Sequence, residues 1–397
     1  MGRESRSIGI SRTVIVLGVV SFLTDMSSEG IYPLIPLYLT AVLHVQAINI
    51  GIIEGIAEST ACMLRVFSGY FSDRLGNRKW LTVSGYGLST ISKPLFAFTT
   101  SWQQVLGVRF ADRLGKGIRS APRDALIADV SPPDKRGISF GFHRTMDTIG
   151  AITGPLIAFW LLRSLHFGYR SIFLLSAIPA ALAVLVLIFL VREPARAARK
   201  DAELPELGLK SLSRRFKSFL LVAGVFSLGN SSDVFLILRA NHLGIGAEKI
   251  LLVYMLFNSV EAALSITAGA VSDRIGRRNV ILGGYLVFAL VYAGFGFARR
   301  PAEIWALFAF YGVYNALTQG VQRAFAADLA KSEARGTGLG AYYTATGIAL
   351  LPASLIAGYL WQYVSKSAPF FYGSALALVA SVLLAVLFRD RVPTPQS

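Results

Sequence analysis

A chain of 397 residues that is 54% hydrophobic and only 16% charged is not an ordinary soluble domain, in which roughly a quarter of residues are charged. Its net charge of +16 does not mark a nucleic-acid binder, because no periodic basic and aromatic pattern lies outside the apolar blocks. Mean hydropathy is +0.55, and blocks such as the uncharged run Leu174 to Val191 are long enough for a helix to cross roughly 30 Å of hydrocarbon.

Taken in chain order, the pattern predicts an all-α integral membrane protein with twelve transmembrane helices, near 13–40, 47–72, 80–100, 104–128, 136–162, 170–191, 217–240, 248–271, 279–298, 302–327, 336–362 and 368–388. The first could pass for a signal peptide, since Arg3, Arg6 and Arg12 precede an apolar run from Val14. No small-residue cleavage site follows, and the run continues through Asp25 and Glu29 to Tyr38, so it is read as a retained helix. Cys62 is the single cysteine, so no internal disulfide is expected, and the histidines show no metal-ligand spacing. Connections are short except for 192–216, which is charged and contains proline. The expected organisation is therefore a six-helix bundle over 1–191, a cytoplasmic linker over 192–216 and a second six-helix bundle over 217–397.

Counting a residue in the first two positions of a span with the loop before it, 23 of the 39 Lys and Arg residues fall at the N-terminus, the even-to-odd loops and the C-terminus. Only Arg163, Arg170, Lys249, Arg299, Arg300 and Lys366 fall in the opposite loops. The positive-inside rule then places both termini in the cytoplasm. The expected location is a cell membrane, read as a bacterial inner membrane, with the basic excess facing anionic lipid headgroups.

The two halves repeat at an offset of about 200 residues. Gly69 to Leu81, GYFSDRLGNRKWL, returns as Gly269 to Ile281, GAVSDRIGRRNVI. Phe22 to Glu29, FLTDMSSE, returns as Phe226 to Asp233, FSLGNSSD, and Arg123 to Asp129 returns as Gln322 to Asp328. Echoes in one order, each at the same place in a six-helix unit, indicate duplication.

The repeated GxxxDRxGxR resembles motif A of the major facilitator superfamily. Arg113-Leu-Gly-Lys-Gly117 resembles the superfamily's helix-4 arginine motif, and Gly150 to Pro155, GAITGP, resembles the GxxxGP core of its antiporter motif. Asn77 stands where the first motif usually has Arg, whereas the second copy has Arg277. The resemblance covers the whole chain and is nearest to the drug and metabolite:proton antiporter group. It implies alternating access, with helices 1, 4, 7 and 10 lining a cavity between the halves. It also implies a conformational gate of Gly69, Asp73, Arg74, Gly76, Arg78 and Asp129, with Gly269, Asp273, Arg274 and Gly276 as its second copy. Gly69 is expected to allow two helices to approach closely, and Asp73 to cap a helix N-terminus in the other half. Gly150, Gly154 and Pro155 are expected to pack and bend helix 5.

Nineteen charged residues fall within the predicted spans beyond their first two positions. At ~3 kcal/mol each, lipid-facing charges would cost on the order of 50 kcal/mol, well beyond a stability of roughly 5–15 kcal/mol. They must therefore pair or face water. At 100° per residue Arg109, Arg113, Lys116, Arg119 and Arg123 fall within about 120° on helix 4, while Asp25, Ser28, Glu29 and Tyr32 share a face of helix 1. The second half offers Asn230, Ser231 and Asp233 on helix 7, and Tyr311, Asn315, Thr318 and Gln322 on helix 10. Hence Asp25, Glu29 and Arg113 are the expected proton-coupling residues. Tyr32, Arg119, Arg123, Asn230, Asp233, Tyr311, Asn315 and Thr318 are the expected substrate-cavity residues.

The expected function is proton-coupled export of a small organic compound, a drug or metabolite. The alternative is a carrier of an anionic metabolite, such as an organic phosphate or carboxylate conjugate, favoured by the basic stripe because Arg holds such groups bidentately. A membrane sensor or membrane-embedded enzyme is disfavoured, because no nucleotide loop, metal motif or nucleophile–base pair is present. Small-molecule substrate, protons and membrane lipid are the expected partners. No cofactor, metal or nucleic acid is expected, and a monomer is expected to suffice.

Overall fold

The computed structural model describes residues 10–75, 77–132, 135–191, 212–330 and 335–389, without the side chains of residues 73, 75 and 335–337. Among these residues the regular structure is entirely helical. The helices are α1 (Arg12–Ile31), α2 (Leu34–Ala41), α3 (Ala47–Leu75), α4 (Arg78–Leu95), α5 (Trp102–Asp129), α6 (Arg136–Ser164), α7 (Tyr169–Leu190), α8 (Arg214–Gly229), α9 (Val234–His242), α10 (Ala247–Ile275), α11 (Arg277–Phe297), α12 (Pro301–Leu329), α13 (Arg335–Tyr363) and α14 (Ala368–Leu387). They supply twelve spans, of which α1–α2 and α8–α9 are single spans broken in the middle. Most of the anticipated linker, 192–211, lies outside the described residues, and α8 begins within the anticipated linker region.

Both breaks have a local cause. Pro33 has no backbone N–H, so the Glu29 carbonyl loses its helical partner and the chain turns before α2. In the second half the run Asn230-Ser231-Ser232-Asp233 competes for the backbone with its own side chains: Ser232 Oγ accepts from Val234 N at 3.4 Å. The repeat echo already aligned Glu29 with Asp233, so the two breaks fall at matching places with a carboxylate at each.

Among the described residues nine helical stretches are long and apolar enough to cross a membrane. Spans α4, α5 and α12 are not among them. Helices α5 and α12 occupy the same place in the two halves: α5 packs on α3 and α4, and α12 packs on α10 and α11. Their polarity is tolerated because it faces the interior rather than lipid.

The halves meet along α3–α13 and α6–α10. At the end of the bundle away from the gate motifs, α3 and α13 touch backbone to backbone. A Cβ added to Gly358 would lie 2.9 Å from the Ala47 carbonyl oxygen, and one on Gly55 would lie 3.1 Å from that of Leu351. Helices α2 and α9 also meet there, and Tyr38 donates to the Thr99 carbonyl at 2.7 Å. That end is closed.

Candidate functional site

Between the halves lies a cavity of ≈ 940 Å³. Its walls include Arg123 and Asp124 near the end of α5, Gly141 and Arg144 near the start of α6, and Arg323 near the end of α12. It therefore opens toward the end that carries both gate motifs, which is also the end where the basic residues concentrate. Asp25, Glu29, Arg119, Arg123, Asn230, Asp233, Asn315 and Thr318 line it. Tyr311 stands behind this wall, 2% exposed, and donates to Asp233 Oδ1 at 2.6 Å.

The other expected residues sit deeper. Arg109 and Arg113 are buried and face α3 rather than α1. Arg109 holds Glu54 through two parallel bonds of 2.9 Å, and Arg113 holds Glu58 at 2.9 Å. Tyr32 lies under both guanidinium groups, at 5.0 and 5.9 Å from its ring centre. A void of ≈ 10 Å³, about the space of one water, is lined by Glu29, Tyr32, Arg109 and Arg113. Arg113 is thus next to Glu29 but engaged elsewhere, and among the described residues neither Asp25 nor Glu29 has an ion pair. Arg109 and Arg113 thus turn to α3 and not to the helix-1 acids: the spacing Glu54/Glu58 on α3 matches the spacing Arg109/Arg113 on α5, and a buried charge takes the carboxylate in register. That matched four-residue spacing was the signal available in the sequence.

Glu29 instead accepts a 3.0 Å bond from Tyr254 of the other half. Other bonds also cross between halves. Arg144 meets Glu261 at 3.1 Å, Asn258 donates to the Ala151 carbonyl at 3.3 Å, and Ser232 donates to Glu54 at 3.4 Å. Asp25 lies within electrostatic reach of Asp147, Lys116, Arg119 and Arg123. Asp147 is itself engaged by Ser21.

In the first gate copy, Arg78 meets Asp129 at 2.5 Å, and Arg74 donates to the Tyr70 hydroxyl at 2.8 Å. Gly76 lies outside the described residues, as does the side chain of Asp73. In the second copy it is Arg277, not the Arg278 that matches Arg78 in the motif, that holds Asp328 at 2.7 Å, with Asp273 at 3.7 Å. Arg274 is exposed on the last turn of α10. The shift has a simple origin. Helix α11 starts one residue after α10 ends, across Gly276 at φ +90°, whereas two residues separate α3 from α4. Counted from the helix start, Arg78 and Arg277 are the same position. Asn77 caps α4 by accepting from Trp80 N at 3.1 Å, which accounts for its departure from the motif.

Close helix approach at Gly69 and Gly269 is not found. A Cβ on Gly69 would meet only the Ala121 Cβ at 3.6 Å, and one on Gly269 would meet nothing within 4 Å. The halves are parted at this end by the cavity mouth, so no backbone presses on either glycine. Gly150 and Gly154 differ, because they seat α6 on α1 at the level of Asp25. A Cβ on Gly154 would lie 2.8 Å from Gly30 N, and one on Gly150 would lie 3.1 Å from the Asp25 Cβ. Pro155 follows within α6 and is buried.

Two six-helix halves around a central polar cavity, closed at one end and open at the other, define a membrane carrier. The model of the Major Facilitator Superfamily matches residues 17–256 and 219–397, and the chain belongs to that family. It is 39% identical over 381 residues to an uncharacterized MFS-type transporter of Methanocaldococcus jannaschii, covering 94% of each chain. It is 25% identical to the cis,cis-muconate transport protein of Acinetobacter baylyi, over 90% of this chain and 89% of that one. The multidrug resistance protein MdtH of Edwardsiella ictaluri is also 25% identical, with the same coverage. Among solved structures, a nucleoside transporter NupG mutant superposes with a TM-score of 0.81 at 14% identity, over 95% of this chain and 100% of that one.

Proposed function

We propose that the chain is a proton-coupled exporter of a small organic compound, working by alternating access from the cytoplasm across the cell membrane. The halves 1–191 and 217–397 would rock about the cavity, with both termini in the cytoplasm, and Asp25 and Glu29 would carry the proton. One observation supports this most: Glu29 lines the cavity, has no cation bound to it, and is hydrogen-bonded by Tyr254 of the opposite half. A carboxyl whose hydrogen-bond partner belongs to the other half changes environment whenever the halves move. That change is what proton coupling requires. Relatives named for multidrug resistance and for muconate transport fit an organic cargo without fixing its kind.

The other residues then have roles in the same cycle. Asn230, Asp233, Asn315 and Thr318 would contact cargo. Arg113 would hold the α3–α5 ion network beside Glu29. The pairs Arg78–Asp129 and Arg277–Asp328 would remake the inner gate when the mouth closes. The test is proton movement in proteoliposomes enclosing a pH dye, with tetraphenylphosphonium, benzoate and phenyl phosphate as cargo probes. Cargo-dependent proton flux in the parent, lost in Glu29→Gln and Asp25→Asn, is expected. Unchanged flux in both variants contradicts the assignment.

A further inference from the structure

The partners of the charged groups around the cavity do not balance. On the acidic side, Asp124 is held by Arg123 at 2.9 Å and Glu261 by Arg144 at 3.1 Å. Asp147 is held by Ser21 and by His143 at 3.6 Å. Glu29 is bonded by Tyr254 and Asp233 by Tyr311. Asp25 is the one acidic lining group without a bonded partner among the described residues.

The basic side is different. Arg65 on α3, and Lys116 and Arg119 on α5, all line the cavity, and no side-chain nitrogen of the three meets an acceptor among the described residues. Arg119 is only 5% exposed, with its Nη1 buried and unbonded, and Arg65 Nε is in the same condition. Buried guanidinium N–H groups without acceptors are costly and uncommon. One face of each guanidinium is already taken. Arg65 lies over the Tyr343 ring at 5.0 Å and Arg119 over Tyr86 at 4.3 Å. A ring contact satisfies none of the guanidinium N–H groups, and Arg is the side chain that grips a carboxylate or phosphate in two parallel bonds.

Besides Tyr343 under Arg65, the second half presents further rings to the cavity: Phe226, Tyr254, Phe257, Tyr314 and Tyr342. We propose that the cavity binds an organic anion, with its charged group on Arg65, Lys116 and Arg119 and its flat or apolar body against the rings of the second half. This deepens the proposed function, since it names the cargo class of that cavity. It adds Arg65 and Lys116 to the substrate site, and it assigns Arg119 to the anion itself.

The experiment is titration calorimetry and thermal unfolding of the purified full chain in detergent. The probes are benzoate, phenyl phosphate, inorganic phosphate and tetraphenylphosphonium. Phenyl phosphate or benzoate is expected to bind at least about tenfold more tightly than tetraphenylphosphonium, and phenyl phosphate more tightly than inorganic phosphate. Arg65→Gln and Arg119→Gln are each expected to weaken the organic anion by about tenfold or more. Arg163→Gln, at the closed end, is expected to leave binding unchanged.

Because Arg119 meets no acceptor among the described residues, Arg119→Gln without ligand should lose only its Tyr86 contact and unfold within a few degrees of the parent. A merely structural arginine would give a sharply lower temperature. Binding of tetraphenylphosphonium alone, no binding of any anion, or anion affinity indifferent to both variants overturns the proposal. An anion that binds without moving protons contradicts the proposed coupling and leaves the anion site standing. Proton exchange with tetraphenylphosphonium alone does the reverse.

Discussion

Helices α5 and α12 hold the same place in the two halves and do different work. Both are too polar to be found by apolarity alone. Helix α5 spends its polarity on charge: Arg109, Arg113, Lys116, Arg119 and Arg123 run down it, the first two locked to α3 and the last three lining the cavity. Helix α12 spends its polarity on neutral groups. Tyr314 accepts from Asn230 at 3.0 Å, Tyr311 donates to Asp233, and Gln322 accepts from Tyr342 at 2.7 Å. The lesson is that duplication preserved the scaffold and the repeated SDRxGxR string while the interiors diverged. A charge inside a membrane needs a matched partner, so one charged helix imposes acids on its neighbour α3. A neutral helix imposes nothing comparable on α10.

The sharpest way to break this comparison is to remove one member of the matched set. Arg109→Met leaves Glu54, 1% exposed at its side chain, buried and uncompensated, and should cost about 3–5 kcal/mol. Adding Glu54→Gln should recover much of the loss. Thermal unfolding in detergent measures both, and a double variant no better than the single would show that pairing is not what the network supplies.

Next in size is the seat of α1. Gly154→Ala forces a methyl against the backbone of Gly30 and should cost about 1–3 kcal/mol, whereas Gly69→Ala should stay within about 0.5 kcal/mol. Equal losses at the two glycines would mean that the inner ends of the helices pack more closely than observed.

On α12 the effects should be smaller. Tyr314→Phe deletes one neutral hydrogen bond and should cost roughly 0.5–1.5 kcal/mol, well below Arg109→Met. A loss equal to that of Arg109→Met would erase the distinction between the halves. Least of all, Arg277→Ala removes a partly exposed pair with Asp328, whose side chain is 52% exposed, and should cost about 1 kcal/mol or less. If Arg278→Ala instead of Arg277→Ala disturbs gate closure, the one-residue offset between the motif copies is wrong. Cysteine accessibility of the cavity mouth would show which.

Much of this architecture was legible because membrane spans must be long and apolar, and because duplication repeats rare strings such as SDRxGxR. The cavity residues Asp25, Glu29, Arg119, Asn315 and Thr318 were reachable from helical periodicity together with the family resemblance, which implied that helices 1, 4, 7 and 10 line the cavity. What escaped depends on contacts between distant helices. The four-residue spacing shared by Glu54/Glu58 and Arg109/Arg113 hinted at their pairing, but nothing in the order of residues states that Tyr254 reaches Glu29 from the other half. The helix breaks were signalled by Pro33 and by the polar run at Asn230, but a continuous apolar pattern on either side concealed them. The shifted roles of Arg78 and Arg277 escaped because a motif aligns letters, whereas a gate aligns positions counted from the start of a helix.

The proton role of Asp25 and Glu29 is most directly tested by separating proton flux from cargo affinity in one proteoliposome preparation, with phenyl phosphate as the probe. Asp25→Asn and Glu29→Gln should abolish cargo-driven proton movement while leaving phenyl phosphate binding within about threefold. Asn315→Ala and Tyr342→Phe should weaken binding while protons still move with each cargo molecule carried. Proton flux lost through the second-half variants, and kept in the first-half ones, would contradict the account.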